Sequence, residues 1–273
     1  MPLLPIYQVD AFTRKRFGGN PAAVVPLENW LPDETMQAIA AENNLAETAY
    51  FVRRADGSYD LRWFTPELEI PLCGHATLAS GYVLYEYLGF TGDTIRFHSK
   101  SGELTVQKIG DKLALNFPAR PLHTLPPEQH RTLHTQLTAI LGKSPSEIFH
   151  SVNNYLAVYN SEDDVRTMKP DFMRLNDLPD VIGVIVTAKG ADYDCVSRYF
   201  CPNAGIPEDP VTGSAHCSIV PYWAEKLGKT SLRAYQASAR GGELECELRQ
   251  SADGNRVIMA GFVAPYLRGT IDV

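Results

Sequence analysis

Three polar side chains lie at places in the sequence where proton chemistry is possible. Glu47 follows a predicted helix and opens the apolar segment ETAYF, which can shield a carboxylate from water and suit it to general acid/base work. His75 lies in the first turn of an otherwise apolar segment, where an imidazole can donate or accept a hydrogen bond. Asp209 precedes Pro210, which favours an extended backbone. A solvated loop glutamate, a structural histidine and a turn aspartate are the ordinary alternatives.

Two predicted helix starts could bind an anion. The segments that begin at Gly74 and Gly213 would each present free backbone N–H groups and the positive end of a helix dipole. Glycine allows a ligand to approach the backbone closely, and Ser214 adds a hydroxyl. We expect these residues to hold a carboxylate of a small-molecule substrate. Two tight turns, with Ser214 as an ordinary N-cap, are the alternative.

The sequence predicts neither a metal nor a cofactor. Cys73 with His75, and His216 with Cys217, have the residue types of zinc ligands. Their spacing fits none of the usual structural pairs, and no further Cys/His pair accompanies them. The glycine-rich patterns of dinucleotide and nucleoside-triphosphate sites are missing, as are the HExxH and GxSxG patterns of hydrolases.

An internal repeat positions these residues. Matching segments follow one another in the same order, 136 to 140 residues apart, which is about half of the 273 residues. We therefore predict two similar domains, 1–119 and 120–273, with the last strand free to pack back on the first half. Three extra residues around Asp209 interrupt the repeat beside the expected anion site. The matching pairs are Arg62–Pro66 with Arg198–Pro202, Gly74–Ala76 with Gly213–Ala215, and Gly102–Leu104 with Gly242–Leu244.

Each half combines alternating strands with one helix that is apolar on nearly every face, as a buried helix is. These helices are predicted over 75–88, ending before Gly89, and over 214–227, ending before Gly228. A further helix is predicted to run from Asp33, as N-cap, to about 43. The fold class is α+β, with two pseudo-symmetric domains that each curl a sheet around a central helix. The predicted strands are Ile6–Phe12, Tyr59–Phe64, Leu104–Phe117, Tyr155–Tyr159, Gly183–Thr187, Glu243–Leu248 and Val257–Val263.

Composition excludes several classes of partner. The net charge is −7 and no basic cluster rises above that background, which argues against nucleic acid and anionic membranes. No apolar stretch reaches the ~18 residues of a membrane span. The five cysteines are odd in number and irregularly spaced, and the N-terminus resembles no export signal. We expect free thiols and a cytoplasmic protein.

Four motifs together resemble the phenazine-biosynthesis PhzF-like family, within the diaminopimelate-epimerase fold. The resemblance runs from Val9 past Gly242 and therefore covers nearly the whole chain. The motifs are VDAFT with FGGNPAAVV (Val9–Val25), NNLAETAYF (Asn43–Phe51), RWFTPELEIPLCGHATLA (Arg62–Ala79) and EDPVTGSAHC (Glu208–Cys217).

The resemblance implies a site in the cleft between the two domains and cofactor-independent isomerisation by proton transfer at carbon. In the family's best-known activity, a glutamate moves a proton within trans-2,3-dihydro-3-hydroxyanthranilate. That glutamate maps onto Glu47, with His75 and Asp209 as further catalytic residues. Gly74, Gly213 and Ser214 fall on the anion-binding helix starts. Cys73, where phenazine-type sequences carry alanine, is expected to bind substrate beside them. We expect a homodimer.

Two alternatives remain open. Diaminopimelate epimerases use two facing cysteines, one at each central helix start, and Cys73 stands at the first of these places. Thr212 stands at the second, and Cys217 lies about one turn further on, so a racemase or epimerase based on thiols would have one well-placed cysteine. The other alternative is a member of the fold that binds a small acid or a protein without turnover.

Overall fold

The computed structural model describes residues 3–178, 181–252 and 254–273. The chain divides into two compact units. Unit 1 comprises Met1–Phe117 with Met259–Val273, and unit 2 comprises Pro118–Ile258. Within the described residues, no helix has the length and apolarity that crossing a membrane requires.

Unit 1 is built on a mixed sheet. Its strands are β1 (Leu3–Ala11), β2 (Asn20–Leu27), β3 (Glu47–Arg53), β4 (Tyr59–Phe64), β5 (Glu69–Ile70), β6 (Thr94–Ser99), β7 (Gly102–Ile109) and β8 (Lys112–Pro118), and β18 (Val263–Asp272) joins them. Its helices are α1 (Asp33–Asn43) and α2 (Gly74–Glu86). From β1 to β7 the neighbouring pairs alternate: β1–β2, β3–β4 and β6–β7 are antiparallel, whereas β2–β3 and β4–β6 are parallel. β18 adds to the far side of β1, and β5 adds to β4.

Unit 2 repeats that order of pairing. Its strands are β9 (His123–Thr124), β10 (Glu147–Ser151), β11 (Asn154–Tyr159), β12 (Gly183–Lys189), β13 (Cys195–Cys201), β14 (Ile206–Asp209), β15 (Ser231–Gln236) and β16 (Gly242–Arg249), and the unit boundary falls within β17 (Arg256–Gly261). Its helices are α3 (Pro127–Leu141), α4 (Glu162–Arg166), α5 (Phe172–Leu175) and α6 (Gly213–Leu227). Here β10–β11, β12–β13 and β15–β16 are antiparallel, and β11–β12 and β13–β15 are parallel. The predicted α+β class with two similar halves is confirmed.

Each unit encloses one helix. Residues 74–81 of α2 are all buried, and the helix packs against β1, β2 and β3. α6 is almost as fully buried and packs against β15 and β16. Gly228 ends α6 in the left-handed conformation, as predicted. The helix α2 ends at Glu86 with Tyr87 as its C-cap residue, so the predicted end at residue 88, before Gly89, lies two residues too far along the chain.

The same ion pair braces the strand before each helix. In unit 1, Arg62 on β4 donates from Nε and Nη2 to the two carboxylate oxygens of Glu69 at 2.8 and 2.9 Å. In unit 2, Arg198 on β13 makes the same two bonds to Glu208, also at 2.8 and 2.9 Å. Paired bonds of this kind fix orientation as well as distance. Each pair therefore holds the short strand that leads into the following helix start.

Three further predicted boundaries are wrong. The N-cap residue of α1 is Pro32 rather than Asp33, which is the first residue of the helix and accepts a hydrogen bond from Arg62 at 2.8 Å. The predicted strand 104–117 is a hairpin of β7 and β8, in which Gly110, with φ +61°, supplies the turn. The predicted strand 257–263 breaks at 262, between β17 and β18.

Candidate active site

Glu47 and His75 meet inside unit 1. β3 begins at Glu47, as predicted, and His75 is the second residue of α2. The carboxylate Oε2 of Glu47 lies 2.9 Å from Nε2 of His75, and the two side chains are 14% and 5% exposed. Two groups that exchange protons are thus held together almost out of water, while a small part of the Glu47 side chain remains accessible.

Asn20 determines which ring nitrogen of His75 carries the proton. Its amide nitrogen lies 3.0 Å from Nδ1, and the asparagine is fully buried at the start of β2. In the neutral imidazole, an amide that donates makes Nδ1 the acceptor and leaves the ring proton on Nε2, on the side of Glu47. Gly19 makes this placement possible: its φ is +60°, and a Cβ there would lie 2.1 Å from the carbonyl oxygen of Ala11.

Cys73 is the N-cap residue of α2. Its sulfur lies 3.5 Å from Nδ1 of His75, and its side chain makes no cap hydrogen bond. Burial, aided by the negative charge of Glu47, raises the pKa of the Cys73 thiol to about 11. Cys73 is therefore a neutral thiol at neutral pH, a poor nucleophile and a poor base.

His75 is subject to opposing influences. Burial alone lowers its pKa, but Cys73 and Glu47 outweigh burial, and the pKa of His75 lies well above its ordinary value. Since the thiol is neutral, we assign this effect to the Glu47 carboxylate. A second proton on Nδ1 would require the Asn20 amide to turn its oxygen towards the ring. Asn20 and Glu47 therefore favour different protonation states of His75.

Glu47, Cys73 and His75 also form a potential metal-binding group. One ligand atom from each lies within 4.8 Å of the others. A carboxylate, a thiol and an imidazole are ligands that zinc accepts. The residue pattern missed this grouping because the third ligand comes from β3, far from Cys73 and His75 in the sequence. An ion there would occupy the atoms that proton transfer needs.

Unit 2 carries Asp209 at the end of β14, 9% exposed. Thr212 donates its hydroxyl proton to Oδ2 of Asp209 at 2.5 Å. Thr212 is also the N-cap residue of α6, yet its side chain makes no cap hydrogen bond. The helix thus begins at Gly213 and Ser214 with no side chain of the N-cap residue on its free N–H groups.

Gln236 braces this turn from β15. It is fully buried, its Nε2 donates to the carbonyl oxygen of Asp209 at 2.6 Å, and its Oε1 accepts from the backbone N–H of Thr212 at 2.7 Å. The same Nε2 lies 3.1 Å from Oγ1 of Thr212. Sequence reasoning missed Gln236, because nothing in the local pattern distinguishes it from a surface glutamine at a strand end.

The structure brings some of the predicted site residues together. Glu47, Cys73, His75 and the start of α2 at Gly74 form one cluster in unit 1. Asp209 and the α6 start at Gly213 and Ser214 form a second cluster in unit 2. Asn20 was overlooked although it lies in the GGNP segment of the first motif. The feature that distinguishes Asn20 is its contact with His75, which lies 55 positions away in the sequence.

Comparisons with known proteins agree with this fold. The model of the phenazine biosynthesis-like protein family, PhzC-PhzF, matches residues 9–269. An uncharacterized isomerase of Pseudomonas aeruginosa is 51% identical over 268 residues, covering 98% of each chain. The crystal structure of a PhzF-family phenazine biosynthesis protein of Enterococcus faecalis is 44% identical, with a TM-score of 0.92 over the whole of both chains. A hydroxyproline epimerase of Agrobacterium vitis, 9% identical, shares the fold with a TM-score of 0.60, covering 98% of this chain and 92% of that one.

Fold and relatives together define the class of protein as an isomerase with the epimerase type of fold. The chain belongs to the phenazine biosynthesis-like, PhzC-PhzF family.

Proposed function

We propose that the protein is a cofactor-independent isomerase that moves a proton between two carbons of a small carboxylate-bearing substrate, with Glu47 as the acid/base. The observation that carries this proposal is the contact of 2.9 Å between Glu47 Oε2 and His75 Nε2 in a nearly dry setting. A carbon acid gives up its proton slowly, so its base must be held in place and protected from water.

Glu47 would act first as base and then as acid. Its carboxylate takes a proton from a substrate carbon, and the electron pair of that C–H bond enters the conjugated π system of the substrate. The resulting carboxylic acid returns the proton to another carbon, so proton and electron counts are unchanged. His75, with its Nε2 proton fixed by Asn20, would hold Oε2 in place throughout. Asp209 would polarise the substrate, while His75 orients Glu47.

The helix starts would bind the substrate's carboxylate. Cys73 and Thr212, the N-cap residues of α2 and α6, make no side-chain cap bonds. We propose that Gly74 on α2, and Gly213 with Ser214 on α6, are substrate-binding residues, since the N–H groups of a helix start suit a carboxylate. A homodimer and a cytoplasmic location remain our expectations, to be checked by gel filtration and cell fractionation.

Proton exchange at carbon tests this function directly. A panel of cyclic hydroxy and amino acids is incubated in D₂O with the wild-type protein, and loss of C–H signals is followed by NMR. We expect exchange and isomerisation of at least one unsaturated acid, which Glu47→Gln abolishes. Exchange that survives in Glu47→Gln would contradict the role of Glu47.

Cys73 supports a second candidate function, amino-acid racemisation or epimerisation. The thiol stands at the helix start, 3.5 Å from His75 Nδ1. Two features weigh against it: the pKa of about 11 and the threonine at the matching position of α6. Loss of chirality of an amino acid, abolished by Cys73→Ser, is the result that would favour this candidate.

A further inference from the structure

We propose that Asn154, the first residue of β11, is a further substrate-binding residue that donates from Nδ2 to the substrate's carboxylate, and that Tyr199 is the residue that positions it. The inference rests on the proposed function, because it concerns the carboxylate that we propose for the start of α6.

Asn154 is the counterpart of Asn20 in the second unit. Asn20 begins β2 and pairs with the last residue of β1, and Asn154 begins β11 and pairs with the last residue of β10. Each of these two strands is antiparallel to the strand before it and parallel to the strand after it. In unit 1 this position brings the amide nitrogen of Asn20 to 3.0 Å from His75, the second residue of α2. The same position in unit 2 places Asn154 beside the second residue of α6, Ser214.

Two contacts along β10 lead to the same hairpin. Tyr222 on α6 donates to Glu147, the first residue of β10, at 2.6 Å. One turn earlier in α6, the hydroxyl of Ser218 lies 2.8 Å from that of Ser151, the last residue of β10. Moving towards the N-terminus of α6 therefore means moving along β10 towards its hairpin with β11. The first turn of α6, one turn further back, lies beside this hairpin, where β11 begins.

The amide of Asn154 has one bonded end and one unbonded end. Asn154 is 6% exposed, and its Oδ1 accepts a hydrogen bond from the Tyr199 hydroxyl at 2.8 Å. Nδ2 has two protons to donate but no acceptor in the part of the chain that the structure describes. It is not one of the enclosed, unbonded polar atoms, so it faces space that a ligand can reach. Because buried polar groups are almost always bonded, we assign the acceptor to the substrate.

Tyr199 orients this amide and links it to Asp209. An amide can turn over and exchange its oxygen with its nitrogen, but the tyrosine proton needs an acceptor and therefore holds Oδ1 on its side. Tyr199 also lies directly opposite Asp209 in the pairing of β13 with β14. Asn154 thus belongs to the cluster of Asp209 and the start of α6. A carboxylate there meets donors from two elements, the helix and β11.

Anion binding by the full-length protein tests the proposal. Benzoate and sulfate are titrated by calorimetry against wild type, Asn154→Leu and Asn154→Asp. Asn154→Leu keeps the approximate size and removes the donor. We expect both anions to bind about tenfold more weakly or worse, as when a hydrogen bond to a charged group is lost. Asn154→Asp keeps an acceptor for Tyr199 but puts a negative charge in place of the donor, so it should weaken binding further.

Tyr199→Phe tests the positioning role. Without the hydroxyl the amide of Asn154 can turn over, and we expect roughly two- to fivefold weaker anion binding. In the Asn154→Leu background the same change should have no further effect, because Tyr199 acts through the amide. A structural role of Tyr199 would instead weaken binding in both backgrounds.

Two matched controls lie at the other end of β11. Tyr159→Phe also removes the hydroxyl of a buried tyrosine, which donates to the carbonyl oxygen of Lys143 at 3.4 Å. Asn160→Asp adds a negative charge at an exposed asparagine directly after the strand. At 3.3 Å per residue, that charge lies about 20 Å from Asn154. Both variants should bind the two anions as wild type does.

The outcomes separate this inference from the proposed function. Wild-type affinity in a folded Asn154→Leu overturns the inference even when Asn154→Asp binds weakly, because charge repulsion alone then explains the second result. A wild-type protein that binds neither anion overturns both the inference and the proposed carboxylate contact at α6. Anion binding without any C–H exchange in D₂O contradicts the proposed isomerase alone.

Discussion

Nε2 of His75 and Oε2 of Glu47 lie 2.9 Å apart, one at the start of a buried helix and the other at the start of a strand. The pair is reinforced from the opposite edge of the ring, where Asn20 lies 3.0 Å from Nδ1. In the neutral imidazole, this row of three side chains keeps the single ring proton of His75 on Nε2.

Glu47→Gln keeps the size of the side chain and removes the group that carries the proton. We expect substrate turnover to fall by roughly 10²–10⁴-fold, while binding of small carboxylates changes little. Isomerisation rates and calorimetric titration measure the two effects separately. Glu86→Gln, at an exposed position on α2, is the control and should keep full activity.

Cys73→Ser should remain active. The thiol is neutral at neutral pH because burial raises its pKa to about 11, so its loss removes a neighbour of His75 but no proton carrier. Turnover and D₂O exchange are measured beside those of Glu47→Gln. An inactive Cys73→Ser together with an active Glu47→Gln would move the chemistry to the thiol and favour the racemase.

Asn20→Asp should change the protonation of His75. An aspartate can only accept at Nδ1, so it favours a proton on that nitrogen and stabilises the imidazolium. We expect a loss of turnover of roughly 10- to 100-fold, as when a partner that orients a histidine is altered. The ¹⁵N chemical shifts of the ring report the protonation state. Asn154→Asp also places a carboxylate at a buried asparagine but keeps the acceptor for Tyr199, so His75 should be unaffected.

His216 should make the protein sensitive to mild acid. Burial lowers the pKa of this fully buried imidazole to about 4, against an ordinary value of 6.5. Between these values the unfolded chain binds a proton that the folded chain does not. Stability should therefore be complete above pH 6.5 and fall towards pH 4, by up to about 1.4 kcal/mol per pH unit.

The variant His216→Gln can still donate to the carbonyl oxygen of Thr212, the bond that Nδ1 makes at 2.8 Å. Urea unfolding at several pH values between 4 and 7 should show a flatter pH dependence for this variant. His130→Gln, on the helix α3, should leave the wild-type slope unchanged. An equal slope in His216→Gln would contradict the assignment.

Gly19→Ala should destabilise unit 1 more than Gly57→Ala does. Both glycines have left-handed backbones, with φ +60° and +83°, so either alanine costs about 1–2 kcal/mol. A Cβ at Gly57 meets nothing within 4 Å, whereas one at Gly19 meets the Ala11 carbonyl oxygen at 2.1 Å. We expect roughly 1–3 kcal/mol of additional loss at Gly19, measured by urea unfolding. Because Asn20 follows directly, activity should fall as well.

The sequence was a good guide wherever a pattern repeats. The duplicated segments predicted two halves, and the order of strand pairing is indeed the same in each. Continuous apolar character predicted the two buried helices, α2 and α6, and a glycine predicted where α6 ends. The helix α3 was missed although it has Pro127 at its start, Gly142 in the left-handed conformation after its end, and buried leucines at 133 and 137.

The polar partners inside the units could not be predicted in this way. Asn20 and His75 are 55 residues apart, and Gln236 and Thr212 are 24 apart. Which donor meets which acceptor in a buried site depends on how distant strands and helices pack, and no local periodicity encodes it. The resemblance to a family indicated Glu47, His75 and Asp209 as candidate catalytic residues. It did not indicate the residues that form hydrogen bonds around them.

The matching Arg62–Glu69 and Arg198–Glu208 pairs point to a gene duplication. An ancestor of half this length would have carried one such pair and one helix start. After fusion, both copies kept the arginine–glutamate ion pair. The helix starts became different: one now carries Cys73 and His75, and the other carries Thr212 and Ser214. Glu47 and His75, for which we propose proton transfer and positioning, lie in one copy only. Substitutions at the other helix start, around 213–214, therefore leave the residues of that pair unchanged.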